Sequence, residues 1–567
     1  MHSHCGFLLK KNGKTAVCFP YSRFCGIIGR KEVFFVTKAF PRCLIALFFA
    51  AFLLLGLLTA ADYGASWDEM DEMDILRMNL WEYTRAFGMD ESAFEKRASA
   101  FDGQLTISRL TPISESIEQD HGISAFYPMA GVVMSEELTE AQRSESWHMW
   151  CWVVFTLGAF ALYAALRELG ISRSMALLGP VFLLLSPQFF AHGHFNNKDI
   201  ALFSLVLCTL WLALRLMKKP TFPNGLLFSL AGAFAANTKL AGLAVWGLCA
   251  LFVLLAQLIR RNMKGRVWAV AGVTAASFFV FYALITPAMW VSPAAFVKYL
   301  VQNAMAFQRW QNALLFRGTV FELWHESLPV YYLPYMILST TPVWITALAA
   351  IGAVCALVHV LCKKPEALGL VLVACLFVLP LGFAVMTRTH VYNGWRHFYF
   401  VYGPMLMLAV FGVHAIKPQK RWLKNACALV LTACMAISCA GVISQHPYQQ
   451  AYYQSIVQLR GTDFNELDYW NVSARDALQR LADETAGELT IRPADLWTED
   501  ALAKALLLLD EATAQRFTAC ENAQYVLANP TYVNFSGFDA EGMEEAVCLT
   551  SYGQPIMRIY ERSLKGE

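Results

Sequence analysis

Charged residues are scarce in this chain: Asp, Glu, Lys and Arg supply 16% of its 567 residues, against about 25% in a typical soluble domain. A formal net charge of +2 leaves no electrostatic footprint for a nucleic-acid partner. Metal-ligand spacing is missing too. The chain has 15 cysteines, but none stand in a C-x-x-C arrangement and no H-E-x-x-H occurs. Most fall inside or beside apolar runs, as Cys151, Cys208, Cys249 and Cys375 do, where a thiol packs as a small hydrophobe. No half of the chain mirrors the other, so the internal symmetry common among transporters is absent from the sequence.

What is abundant is apolar sequence, 57% of the chain. Runs of spanning length occur at 43–61, 147–166, 174–190, 200–217, 267–286, 342–361, 366–386, 398–416 and 426–444. A longer run, 225–258, is broken by Asn237-Thr238-Lys239 and reads as two shorter helices meeting at a polar turn, because a lysine in mid-bilayer is costly. The expected fold class is therefore an all-α polytopic membrane protein of about eleven spans. The first run starts too far from Met1 and lacks a small-x-small cleavage site, so it reads as a retained helix and not a signal peptide. Basic residues of the N-terminal arm, 1–42, and of the connections holding Arg167, Lys218, Arg260, Lys363 and Lys417 share one side, which the positive-inside rule assigns to the cytoplasm. The opposite side receives the first loop, 62–146, three shorter segments, and the region 445–567. That last region mixes amphipathic helix, as at 474–484, with β-prone runs at 525–529 and 554–560, and is expected to be a small α/β extracytoplasmic domain. Its two cysteines, Cys520 and Cys548, are candidates for a disulfide on an oxidising side of the membrane.

Unusual chemistry gathers on that same side. Asp68, Glu69, Asp71, Glu72 and Asp74 crowd the start of the first loop. Desolvation and mutual repulsion at a membrane boundary raise carboxylate pKa values, which suits a general base. The alternative is a solvated helix start with acids complementing its dipole. The connection 186–199 carries His192, His194, Asn196, Asn197, Lys198 and Asp199, a set better suited to an anion than to a metal. The late loop supplies Arg388, His390, Arg396 and His397 among aromatics, and arginine forks suit phosphate oxygens. Lys239 adds a cation at the same depth. Acids on one loop and cations on others fit a hydroxyl acceptor and a lipid-phosphate donor.

With these residues in view, the domain 43–444 resembles the GT-C superfamily, which includes the protein O-mannosyltransferases and the bacterial lipid A aminoarabinose transferases. Asp68-Glu69 after Trp67 matches the family's acidic pair following the first membrane helix. Asn197-Lys198-Asp199, Tyr331-Tyr332-Leu333-Pro334 leading to Thr340-Thr341-Pro342, and Asn393-Gly394-Trp395-Arg396-His397 before Phe398-Tyr399-Phe400 resemble further family segments. The resemblance implies the GT-C fold and an inverting transfer of a sugar from a polyprenyl-phosphate carrier to a glycan, lipid or protein acceptor on the non-cytoplasmic face, with a bacterial inner membrane the expected location. It implies Asp68 as base or acceptor-orienting carboxylate with Glu69 its partner; Lys198, Lys239, Arg388, Arg396 and His397 on the donor phosphate; and Asp199, His194 and Asn197 as a second acid or supports. No cofactor or metal is expected, although relatives of the oligosaccharyl type use a divalent ion. A transporter or lipid-linked-sugar flippase is the competing reading.

Overall fold

The computed structural model describes residues 41–99, 111–262, 264–305, 313–364, 366–389 and 391–562. Residues 1–40 of the expected basic arm, and His390, lie outside the described residues. Among these, nine helices are long and apolar enough to cross a membrane. A tenth span is bent by 74° between Arg173–Leu184 and Pro187–Phe195, where Pro187 at the start of the second piece cannot continue the first helix's hydrogen bonding. The remaining expected span is the 17-residue helix Phe222–Thr238. The polar break expected at Lys239 is present: this residue is extended (φ −155°, ψ 149°) between Phe222–Thr238 and Leu240–Ile259. Asn237 holds the break, donating to the Ile285 carbonyl and Thr286 Oγ1 at 3.1 and 3.0 Å and accepting from Ser124 N at 3.2 Å.

The helices sort by burial. In Asn197–Lys218, 89% of the apolar window is enclosed by other helices, whereas in Arg421–Ser444 only 6% is, and Leu429, Val430 and Ile437 of the latter are left to lipid. The chain is thus an integral multi-pass membrane protein with one central helix carrying Lys198 and Asp199 at its N-terminal end. Without a hydrophobic driving force between helices in lipid, close approach depends on small residues. Gly352 is the clearest instance, since a Cβ there would stand 1.8 Å from the Leu408 carbonyl oxygen.

Beyond Ser444 the chain folds as the expected α/β unit. Strands β1 (Ala313–Phe316) and β2 (Thr319–Glu322) form a hairpin in an earlier loop; the sheet of this unit has the order β4-β3-β5-β7-β6, with β3 (Leu489–Pro493), β4 (Phe517–Ala519) and β5 (Tyr525–Ala528) parallel and β6 (Met543–Ser551) and β7 (Gln554–Arg562) antiparallel. Helices Ala474–Glu484 and Leu496–Leu508 cover it. The disulfide expected in this unit is corrected: Cys520 and Cys548 are free thiols. Cys520 follows the edge strand β4 and Cys548 sits on β6 at the opposite edge, four strand spacings or about 19 Å away, well beyond the about 7 Å that a disulfide tolerates between Cα atoms. Alkylation of the unreduced protein followed by peptide mass mapping is expected to find both cysteines modified; a linked 520–548 peptide would contradict this sheet order.

Candidate active site

The helix Glu69–Ala86 starts with Glu69, Asp71 and Glu72 in its first turn, where acids complement the dipole. Asp68 occupies the N-cap but makes no capping hydrogen bond, so its carboxylate is available elsewhere. It accepts from Arg396 Nη1 at 2.9 Å, with the Asp68 side chain 43% exposed and that of Arg396 10%. The guanidinium lies between two aromatic faces, 4.9 Å from the Tyr392 centroid and 4.3 Å from that of Trp470, which holds it by cation–π attraction. Burial pushes the Asp68 carboxyl up, but the charge and hydrogen bond of Arg396, with Lys198 and Lys504 behind them, outweigh that and hold it below the ordinary value. The expectation of a raised pKa at the acidic cluster is corrected for Asp68, because a cation in contact wins over desolvation.

The other acids disperse. Glu69 is wholly enclosed and faces the helix Glu140–Glu168, where its Oε2 meets His148 Nε2 at 2.7 Å and its Oε1 accepts from Ser144 Oγ at 2.5 Å; it does not share the Asp68 face. Glu72 pairs with Lys198, and Asp74 with Arg77. Asp199 pairs with Lys239, so the adjacent Lys198 and Asp199 hold partners on different elements and not each other. Among the described residues no three His, Cys, Asp or Glu side chains converge as a metal site would need.

Of the expected cations, Arg396, Lys198, Lys239 and His397 come together. His397 feels the charges of Lys239, Arg396 and Lys198, and its ring contacts Tyr392 at 4.1 Å. Arg388 stands apart: it is exposed in a left-handed C-cap (φ 49°) at the rim of an apolar cleft lined by Leu323, Leu328, Val330, Leu333, Val385 and Val391. His194 is also apart, stacked between Tyr63 and Trp152 at 4.4 Å from each and bonded to Thr59 Oγ1 at 3.0 Å. It is a packing residue, and its expected support of the acid is corrected. His192 meets Tyr399 OH at 3.0 Å. Asn197 is buried beside Lys198, and its side-chain nitrogen finds no hydrogen-bond partner among the described residues.

The C-terminal unit contributes what sequence reasoning missed. Besides Trp470, Arg475 donates to the carbonyls of Ala61, Asp62 and Tyr63 at 2.9–3.1 Å, and Lys504 donates to the Trp67 carbonyl while pairing with Asp500 at 2.7 Å. Gly64 lets the loop lie against this unit, since a Cβ would stand 2.3 Å from the Val472 carbonyl oxygen. The stretch bearing Asp68 is thereby clamped from the far end of the sequence. One signal was available: Glu466, Asp468, Tyr469 and Trp470 form an acid-and-aromatic run like that of the first loop. Glu466 accepts from Asn393 Nδ2 at 2.8 Å and Leu315 N at 3.3 Å, tying the C-terminal unit to the loops that carry those two residues.

A family model described as dolichyl-phosphate-mannose-protein mannosyltransferase matches residues 133–290, the stretch that carries Lys198 and Lys239 but neither Asp68 nor Arg396. No curated relative matches the chain. Similar solved structures include ArnT from Cupriavidus metallidurans in the apo state, at 13% identity and a TM-score of 0.48 over 93% of this chain and 99% of that one. The same protein bound to undecaprenyl phosphate gives 13% and 0.48 over 92% and 99%. The oligosaccharyltransferase of Archaeoglobus fulgidus gives 10% and 0.44 over 91% and 74%. Over residues 133–290 the family match agrees with the resemblance to the GT-C superfamily drawn from the sequence.

Burial pushes the Glu466 carboxyl from 4.5 up to about 8. Between those values the folded chain keeps a proton that the unfolded chain has lost, so stability falls as pH rises through the window. Glu466→Gln is expected to flatten that fall in melting temperature from pH 4.5 to about 8; equal slopes in both proteins would contradict it.

Proposed function

We propose that the protein is an inverting glycosyltransferase that moves a sugar from a polyprenyl-phosphate carrier to a hydroxyl acceptor on the non-cytoplasmic face, in a bacterial inner membrane. The observation that carries this reading is an ionised carboxylate, Asp68, held 2.9 Å from a guanidinium at the edge of a cation cluster formed by Arg396, Lys198 and Lys239, with the His397 imidazole among them. Catalysis of this kind needs a group for the acceptor hydroxyl and fixed positive charge where the leaving phosphate accumulates negative charge.

The array is charge-balanced as it stands, since Arg396, Lys198 and Lys239 each have an acid partner. A donor phosphate reaching Arg396 competes with Asp68 for the guanidinium. Asp68 released in this way loses the contact that depresses its pKa and becomes a better proton acceptor, so donor binding itself readies the base. The acceptor oxygen then attacks the anomeric carbon and the bond to the phosphate oxygen breaks. The electron pair leaves on the polyprenyl phosphate, and the acceptor proton passes to Asp68. Lys198, Lys239 and His397 stand around the departing charge. Glu69 acts at one remove, anchoring the first turn of the Asp68 helix to His148 and Ser144. The apolar cleft at Arg388 suits the carrier's hydrocarbon chain; Val391 in its wall is next to Tyr392, which stacks on Arg396.

Sugar transfer from labelled polyprenyl phosphates by the purified protein in lipid tests this reading. Asp68→Asn is expected to lower kcat by about 10² or more, the range of a lost general base. Arg396→Lys is expected to lower it by about 10²–10³, the effect of a lost charge-stabilising contact, because an ammonium cannot reproduce the planar fork. Turnover unchanged in both variants would remove these residues from the chemistry.

A further inference from the structure

Several large apolar side chains stand exposed outside the membrane-spanning helices. Phe87 and Met89, just past the end of the helix Glu69–Ala86, are among them, Phe87 at 73%. Val291 is 71% exposed, and the helix Pro293–Met305 adds Val297 and Val301. Four residues apart on a helix, those two valines share one face. The opposite face is docked: Phe296 is buried, Tyr299 OH donates to the Ile117 carbonyl at 2.7 Å, and Asn303 donates to Asp120.

These side chains belong to one neighbourhood. The short 3-10 turn Pro287–Met289 packs against both helices, Glu69–Ala86 and Pro293–Met305. Phe87 stacks on Tyr83 at 6.2 Å, Tyr83 meets Trp290 edge-on at 4.9 Å, and the Tyr83 hydroxyl donates to the Leu284 carbonyl at 2.6 Å. Leu284 closes the span Gly265–Leu284 and is itself exposed, as are Phe279 and Val280 before it. The lipid-facing side of that span thus continues into the exposed residues beyond its end. Apolar area of this kind is unfavourable in water. Half-buried Tyr83 and Trp290 beside it, with exposed Lys298 on the flank of the helix, are instead what a segment in the lipid headgroup layer carries.

The Asp68 helix is part of the same arrangement. Asp68 stands six residues after Asp62, the end of the first span. The helix Glu69–Ala86, 18 residues or about 27 Å long, then leads away to the end of the span Gly265–Leu284. Asn237, two residues from Lys239, donates to the Ile285 carbonyl, so both of these span ends lie at the end of the bundle that holds the cation cluster.

We propose that Phe87, Met89, Leu284, Val291, Val297 and Val301 form a lipid-docking surface that rests in the headgroup and upper acyl layer of the bilayer. Docking there holds the helix Glu69–Ala86 along the membrane, with Asp68 at its end at headgroup depth. The surface reaches the cations by a second route as well, because the loop fastened to the helix Pro293–Met305 carries Glu118, whose charge Lys198 feels. Lipid docking needs only the spans and holds whatever reaction the site performs.

The test places the full chain in phosphatidylcholine vesicles doped with a phospholipid that carries a photoactivatable diazirine high on its acyl chain. A parallel sample receives a water-soluble diazirine, and modified peptides are mapped by mass spectrometry. Residues 87–89 and 291–301 are expected to take the lipid label and to be protected from the aqueous one. Aqueous label without lipid label at these residues overturns the proposal. Protection from both labels overturns it too, since protein would then cover the surface. Val297→Asp and Val301→Asp together are expected to lose the lipid label at 291–301 while the span Gly265–Leu284 keeps its own, the sign that the variant is folded in the bilayer. Undiminished lipid label at 291–301 in that variant overturns the assignment of this face.

Discussion

The contact between Asp68 and Arg396 is the point on which the three parts of the molecule meet. The carboxylate comes from the loop after the first membrane helix, the guanidinium from the loop before the helix Tyr402–Ala415, and the indole beneath the guanidinium from the C-terminal unit. An ion pair taken partly out of water repays its desolvation poorly, so such a pair is weak evidence for stability. Here two further pairs, Glu72 with Lys198 and Asp199 with Lys239, lie beside it under heavier burial. Three desolvated pairs at one end of a helix bundle are costly as a device for stability and sensible as charge held ready for a ligand.

Holding that charge in place accounts for features that otherwise look unrelated. Arg475 and Lys504 spend their donors on backbone carbonyls of residues 61–63 and 67, which fixes a loop that would otherwise be free to swing about the end of its helix. Asn237 fastens the break that presents Lys239. Tyr392 and Trp470 sandwich a guanidinium that would sample many rotamers in water. Each of these reduces the reorganisation needed when charge develops in a reaction, and that is the largest advantage a fixed polar site offers.

Much of this was legible in the sequence, and the part that was not has physical causes. The spans showed because uncharged apolar runs of bilayer length seldom serve any purpose but crossing a membrane, and the Lys239 break showed because a lysine there is too costly in a continuous helix. Pairing was hidden. Successive residues on a helix point about 100° apart, so Glu69 faces Ser144 and His148 while Asp68 faces Arg396, and Lys198 and Asp199 find different partners though adjacent. His194 looked chemical but sits between two aromatic rings, where a neutral imidazole packs well. Arg388 and Arg396 share one loop, yet a left-handed turn sends the first to an apolar cleft. The contribution of Arg475 and Lys504 was beyond reach because it depends on a contact spanning some 400 residues of chain, for which one sequence carries no signal; the run that holds Trp470 was visible, but not where it docks.

Asp68 and Arg396 are held to act as one unit, the guanidinium passing from carboxylate to phosphate during turnover. A double-mutant cycle of Asp68→Asn, Arg396→Ala and both together, read as kcat for sugar transfer from a polyprenyl phosphate, tests this most directly. Strong non-additivity is predicted, the double variant being scarcely slower than the worse single one. Fully additive losses would mean that the two residues serve the reaction independently and would contradict it.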